Sequence, residues 1–153
     1  MADAVKIRHL FLHPCSTYPV PEAAALLDMN VDDLQGWMDV GEIEGVETDE
    51  GLAVPWGELV SFGIDFWSQE IVEEALGTDA AEALPELLRL TELEVRIPRM
   101  QMLTLERLAA AEGATVSAVL ARELRDLVSV HSAWLSAEIP GFAEAFWWPA
   151  AAE

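Results

Sequence analysis

From Leu93 to Ile97 apolar residues alternate with charged ones. That period of two predicts a strand with Leu93, Val95 and Ile97 on one face and Glu94 and Arg96 on the other. Pro98, which has no backbone N–H to donate to a ladder, ends it. Beyond the proline, Met102, Leu105, Leu108 and Ala109 recur at steps of three and four, the spacing of one helix face, and Gly113 stops that helix. Thr115 or Ser117 can cap a second helix, on which Val119, Leu120, Leu124, Leu127 and Val128 again keep helical spacing. A strand, a helix, a turn and a helix within residues 93–130 are too few to bury their own apolar faces. The unit is expected to dimerise or to pack on the rest of the chain.

Upstream, Val5, Ile7, His9 and Phe11 recur at every second position, a pattern compatible with a short strand or a buried arm. Pro21 marks a helix start, followed by Glu22-Ala23-Ala24-Ala25-Leu26-Leu27 and a turn at Asp28-Met29-Asn30. Asn30 can cap a second helix on which Val31, Leu34, Trp37 and Met38 share a face, ending at Gly41; Trp37 is expected in the core. Ile43 and Val46 then lead to a turn at Asp49-Glu50-Gly51 and a return strand Leu52-Ala53-Val54. After Pro55 a further helix begins, and Ser61 to Leu76 reads as one strongly apolar helix. Its stripe of Phe62, Ile64, Phe66, Trp67, Ile71, Val72 and Leu76 is too broad for one solvated face, so a neighbour or a second subunit should cover part of it. Gly77 breaks it, Thr78 or Asp79 can cap the next helix, and Pro85 limits how far that helix can run.

The pattern divides the chain into residues 1–76, a connecting helix or linker at 77–91, a dimerisation unit at 92–133 and an aromatic, acidic tail at 134–153. In the tail, Trp134, Phe142, Phe146, Trp147 and Trp148 stand among Glu138, Glu144, Pro140 and Pro149. So many aromatics in a tail either pack back on the body or anchor in a partner's groove. The fold class is mainly α with short β elements.

Charge changes the picture more than composition does. The 153 residues are 52% hydrophobic, ample for a packed core, and carry 28 acids against 8 bases, a net charge of −20. Such a surface repels nucleic acid and acidic membranes, so loose, sequence-independent DNA binding is disfavoured. The bases are concentrated, however: residues 89–125 hold Arg89, Arg96, Arg99, Arg107, Arg122 and Arg125 against five acids, a local net charge of +1. No run has the length of a membrane span, the start lacks the apolar core of a secretory signal, and the single cysteine, Cys15, allows no internal disulfide. The expectation is a cytoplasmic protein with no membrane contact.

Two resemblances enter at this point. Val95-Arg96-Ile97-Pro98, with Met102, Leu105, Leu108-Ala109, Gly113, Thr115, Ser117 and Leu124, resembles the ribbon-helix-helix proteins. That resemblance implies an intertwined homodimer whose paired strands lie in the DNA major groove. Arg96 and Glu94 would be the readers there, Arg99 would lie beside them, and Ser117 at the start of the second helix would touch phosphate. Tyr18, Glu22-Ala23-Ala24, Trp37, Gly41-Glu42-Ile43 and Pro55 resemble the excisionase and MerR-like winged helix-turn-helix family, which implies that fold for the N-terminal part. In that family the second helix and wing reach DNA through basic and small polar groups. Here the same stretch offers Asp32, Asp33, Gln35, Asp39, Glu42, Glu44, Glu47, Asp49 and Glu50, with no Lys or Arg between Arg8 and Arg89. It reads as a scaffold that has lost DNA contact and contacts protein instead.

The chemistry of enzymes finds little here. There is no glycine-rich phosphate loop, no nucleophile-elbow serine and no paired cysteines. His9, His13 and Cys15 are able to bind a metal but, beside Pro14, read as an ordinary surface cluster, and no cofactor is expected. Two functions remain. One is a dimeric DNA-binding transcriptional regulator, most like the antitoxin half of a toxin–antitoxin pair, whose tail would seize a basic toxin. The other is a protein-binding adaptor or DNA mimic built from DNA-binding folds.

Overall fold

The computed structural model describes residues 2–149. Within them the chain forms two compact units, residues 2–89 together with 147–149, and residues 90–146.

The first unit opens on α1 (Ala4–Leu12), not on a strand or an irregular arm. Two local features decide this. The Asp3 carboxylate accepts from the Val5 N–H at 2.9 Å and caps the helix, and Ile7, Leu10 and Phe11, spaced by three and one, form its buried face. The alternation through Val5 and His9 misleads, because both of those residues are exposed. Next come β1 (Thr17–Pro19), α2 (Val20–Leu26) and α3 (Val31–Asp39). Asn30 caps α3 by accepting from the Asp33 N–H at 2.7 Å, and Gly41, at φ 84°, supplies the left-handed backbone that ends the following turn.

The hairpin comes after it, β2 (Val46–Thr48) and β3 (Gly51–Pro55), paired antiparallel with Glu47 opposite Leu52. β1 adds to the other edge of β3, with Tyr18 opposite Val54, to give the order β1-β3-β2. Tyr18 and Val54 are fully buried, and the Tyr18 hydroxyl accepts from the Cys15 N–H. Burial pushes that phenol above its ordinary pKa, since desolvation disfavours the phenolate.

The long apolar stretch that reads as one helix is two, α4 (Trp56–Trp67) and α5 (Gln69–Leu76). The break is at Ser68, whose backbone takes φ 76° and ψ 146° and whose side chain caps α5 at Ile71. The turn lets both helices lay apolar faces, Leu59, Val60 and Trp67 on one and Val72 and Leu76 on the other, into the core with Ile7, Leu10, Leu27 and Leu34. α6 (Ala80–Ala83) comes after a 3-10 turn. Neither Thr78 nor Asp79 caps it with a side chain, because the Asp79 carboxylate is taken by the Arg8 guanidinium at 2.5 Å. The same guanidinium donates to the carbonyls of Ala75 and Leu76, closing the C-terminal end of α5.

In the second unit, residues 91–98 are exposed and form neither strand nor helix within the single chain. A strand requires a ladder partner, and the predicted strand Leu93–Ile97 has none among the described residues of its own chain. α7 (Arg99–Glu112) and α8 (Val116–Val130) form a helical hairpin. Gly113, at φ 65°, terminates α7, and the N–H groups of Gly113 and Ala114 both reach the Ala109 carbonyl. Thr115 caps α8 through the Ala118 N–H at 3.0 Å, so Ser117 is not the cap. α9 (Ser132–Glu138) and α10 (Phe142–Phe146) complete the unit. No helix among the described residues is long and apolar enough to cross a membrane.

Candidate nucleic-acid and partner-binding surfaces

The residues proposed to read DNA lie at the start of the second unit. Glu94 and Arg96 are exposed on the segment that precedes α7, Arg99 is the first residue of α7, and Ser117 is exposed in the first turn of α8. Leu93, Val95 and Ile97 are exposed as well, Leu93 at 71%. So are Met102, Leu108, Leu124 and Leu127 on α7 and α8, and the fully covered side chains of the unit's helices are Ala109, Val119 and Ala145. A segment and two helices that leave large apolar groups in water form an incomplete core.

Not every arginine of this unit is available to phosphate. Arg122 donates two hydrogen bonds to Glu112, at 2.7 and 3.2 Å, and approaches Glu123 at 3.6 Å. The hydrogen bonds from Arg122 hold the Glu112 carboxyl below the usual glutamate range, and the same pair raises the guanidinium above its ordinary value. The pair ties the end of α7 to α8.

The first unit is far more acidic than the second, whose residues 90–146 carry 8 acids and 5 bases. Residues 1–89 carry 19 acids and 3 bases, a net charge of −16. Two of those bases are engaged, Lys6 with Asp28 at 2.9 Å and Arg8 with Asp79. The hydrogen bond from Lys6 lowers the Asp28 carboxyl pKa. On α3 and the β2–β3 hairpin, Asp32, Asp33, Asp39, Glu47, Asp49 and Glu50 are exposed, and Gln35 is half-buried. Trp37, whose helical spacing points to the core, is instead 40% exposed. Leu34 and Met38 take the core-facing positions, which turns Trp37 toward Phe62 of α4 with ring centroids 5.4 Å apart.

That contact begins an aromatic run that sequence reasoning left among the core residues. Phe62 stacks on Phe66 at 5.5 Å and Phe66 meets Trp67 edge-on at 6.5 Å. Trp37, Phe62 and Phe66 line a cleft with Ser61, Glu42 and Asp65. Gly63 makes room for the run: a Cβ there would lie 2.8 Å from the Trp67 ring. The signal in the sequence was the overly broad stripe on α4, which called for a cover.

The five tail aromatics divide between the two units. Trp134 is exposed on α9 against the edge of His131, and Phe142 and Phe146 stack on α10 at 5.7 Å. Trp147 is 64% exposed, whereas Trp148 packs back on the first unit, edge-on to Trp56 at 6.1 Å. Trp56 is itself fixed by donating its indole N–H to the Leu10 carbonyl at 2.9 Å. His9 and His13 are ring neighbours at 6.0 Å and Cys15 is exposed, but no cluster of three potential metal ligands occurs among the described residues.

Compared with family models, with curated proteins and with solved structures, the chain matches none.

Proposed function

We propose that this protein is a homodimeric DNA-binding transcriptional regulator of the antitoxin kind, in which two copies of residues 93–130 pair and present Arg96 and Arg99 to DNA. The observation that carries the proposal is the segment 91–98, whose apolar and charged residues all lie in water. An antiparallel pairing of two such segments centred on Val95 sets Glu94 opposite the twin's Arg96, an opposite-charge pair on one face. It also turns Leu93, Val95 and Ile97 together toward the exposed apolar groups of α7 and α8. The segment is thus complementary to itself. Glu94 and Ser117 complete the candidate DNA contacts, and Trp134, Phe142, Phe146 and Trp147 are the tail residues that would engage a basic partner such as a toxin. Trp148, packed on Trp56, is less free to do so.

A second reading, a protein-binding adaptor or DNA mimic, is favoured by the surface of α3 and the hairpin, where every exposed charged side chain is an acid. Titration of promoter fragments separates the two. With about four cationic contacts per dimer, log K should fall against log salt with a slope of about −3.6. Arg96→Ala should abolish sequence discrimination, at roughly 1–3 kcal/mol per lost base contact, and Gln35→Ala should change nothing. A footprint that needs Gln35 and survives Arg96→Ala overturns the assignment to residues 94–99. Absence of any shift hands the protein to the adaptor reading.

A further inference from the structure

We propose that the cleft between α3 and α4, floored by Trp37, Phe62 and Phe66 and edged by Glu42 and Asp65, is a docking site for a cationic amphipathic segment of a partner protein. The proposal concerns the first unit by itself and stands whether or not the second unit binds DNA.

Three observations converge on this occupant. The first is apolar: Trp37 and Phe66 are 40% and 47% exposed although each is stacked or tilted against Phe62, so the surface is ordered by ring packing and still open to water. Large aromatics held in place by their neighbours lose little side-chain freedom on binding, which is why tryptophan anchors so often dominate interfaces. The second is electrostatic. The cleft belongs to a unit whose first 89 residues carry a charge of −16, and no Lys or Arg occurs from His9 to Leu88. An acidic or nucleic-acid ligand is repelled, while a lysine- or arginine-bearing one is drawn in. The third is the chemistry of the floor: ring faces of Trp37 and Phe66 beside carboxylates suit both an inserted apolar side chain and a cation lying over a ring. A purely cationic partner would leave the rings wet, and a purely apolar one would forgo the attraction of the acidic unit.

The test uses the full chain and two synthetic helical peptides, one of leucine and lysine with a single apolar face, the other with glutamate in place of lysine. Calorimetric titration should show micromolar binding of the lysine peptide and none of the glutamate peptide. Phe66→Ser, and separately Trp37→Ser, should weaken it by about tenfold or more. The pair Glu42→Lys and Asp65→Lys should do the same, whereas Val5→Ser on the exposed side of α1 should leave it unchanged. Circular dichroism identifies any variant that fails to fold, and the more exposed Phe66 keeps the question decidable if Trp37→Ser does not fold. Failure of the wild-type chain to bind the lysine peptide overturns the proposal, as does equal binding by the Phe66→Ser and Trp37→Ser variants, which would mean diffuse charge attraction. A halved mass of Trp37→Ser or Phe66→Ser by light scattering also overturns it, since a second copy would then be the cover.

Discussion

Ser68 shows how much one residue can decide. Its φ of 76° with ψ 146° lies in a region that glycine enters freely and other residues enter at a cost of about 1–3 kcal/mol. Its hydroxyl returns part of that by capping α5 at Ile71. Ser68→Gly should therefore stabilise the protein by about 1 kcal/mol: the strain is relieved, the lost cap costs a few tenths, and the freer unfolded chain offsets some of the gain. Ser68→Ala should act in the opposite direction, because it keeps the strain and removes the cap. Urea midpoints of the two variants, read against wild type, check both signs. Neither glycine nor proline marks this position, so the residue pattern runs the helix through from Ser61 to Leu76. The cap at Asn30 and the stops at Gly41, Gly77 and Gly113 were legible, because each acts on the backbone within a few residues, whereas Thr115 and Ser117 were equal candidates for the cap that Thr115 makes.

Among the elements, the α7–α8 hairpin is closed at its turn by Gly113 and tied by the pair Glu112–Arg122. Arg122 depresses the Glu112 carboxyl in the folded state. A depressed folded pKa contributes stability that is fully present above the unfolded glutamate value and is lost as pH falls through the folded one. The stability difference between wild type and Arg122→Gln should accordingly be constant near neutrality. It should shrink from about pH 4 downward and vanish in stronger acid. Thermal melts of both proteins across that range measure it; a difference that persists in strong acid would mean that Arg122 acts by packing instead. The pair joins residues ten apart across a turn, so it could be named only once both helix faces were oriented.

For the molecule as a whole, the main question is what covers the second unit. If the proposed dimer forms, Leu108, which is exposed in the single chain, becomes part of a shared core. Leu108→Asp should then convert dimer to monomer, since a charge forced into that core without a partner costs roughly 3–5 kcal/mol, by analogy with a broken buried pair. Light scattering at micromolar concentration reads the outcome, and a monomeric wild-type protein ends the dimer reading outright. The concentration of bases in residues 89–125 and of acids elsewhere gives the two units different electrostatic characters, whatever partners they meet.

Residue order alone was enough for what local physics controls: the mainly helical class, the α2–α3 pair, the β2–β3 hairpin, the α7–turn–α8 unit, and the segregation of charge. Periodicity, caps and turn residues act over a few positions and can be read there. The same reading went astray at α1, because alternation and helical spacing coexist in Val5–Phe11 and the cap at Asp3 decides between them. Other features emerged only from the folded chain: β1 joins the sheet, Arg8 holds Asp79 and the end of α5, and Trp148 packs on Trp56. The outward turn of Trp37 into an aromatic cleft belongs with them. These are contacts between residues far apart in the chain. Which face of a helix meets its neighbour depends on how all the elements fill one core, and no local pattern records that.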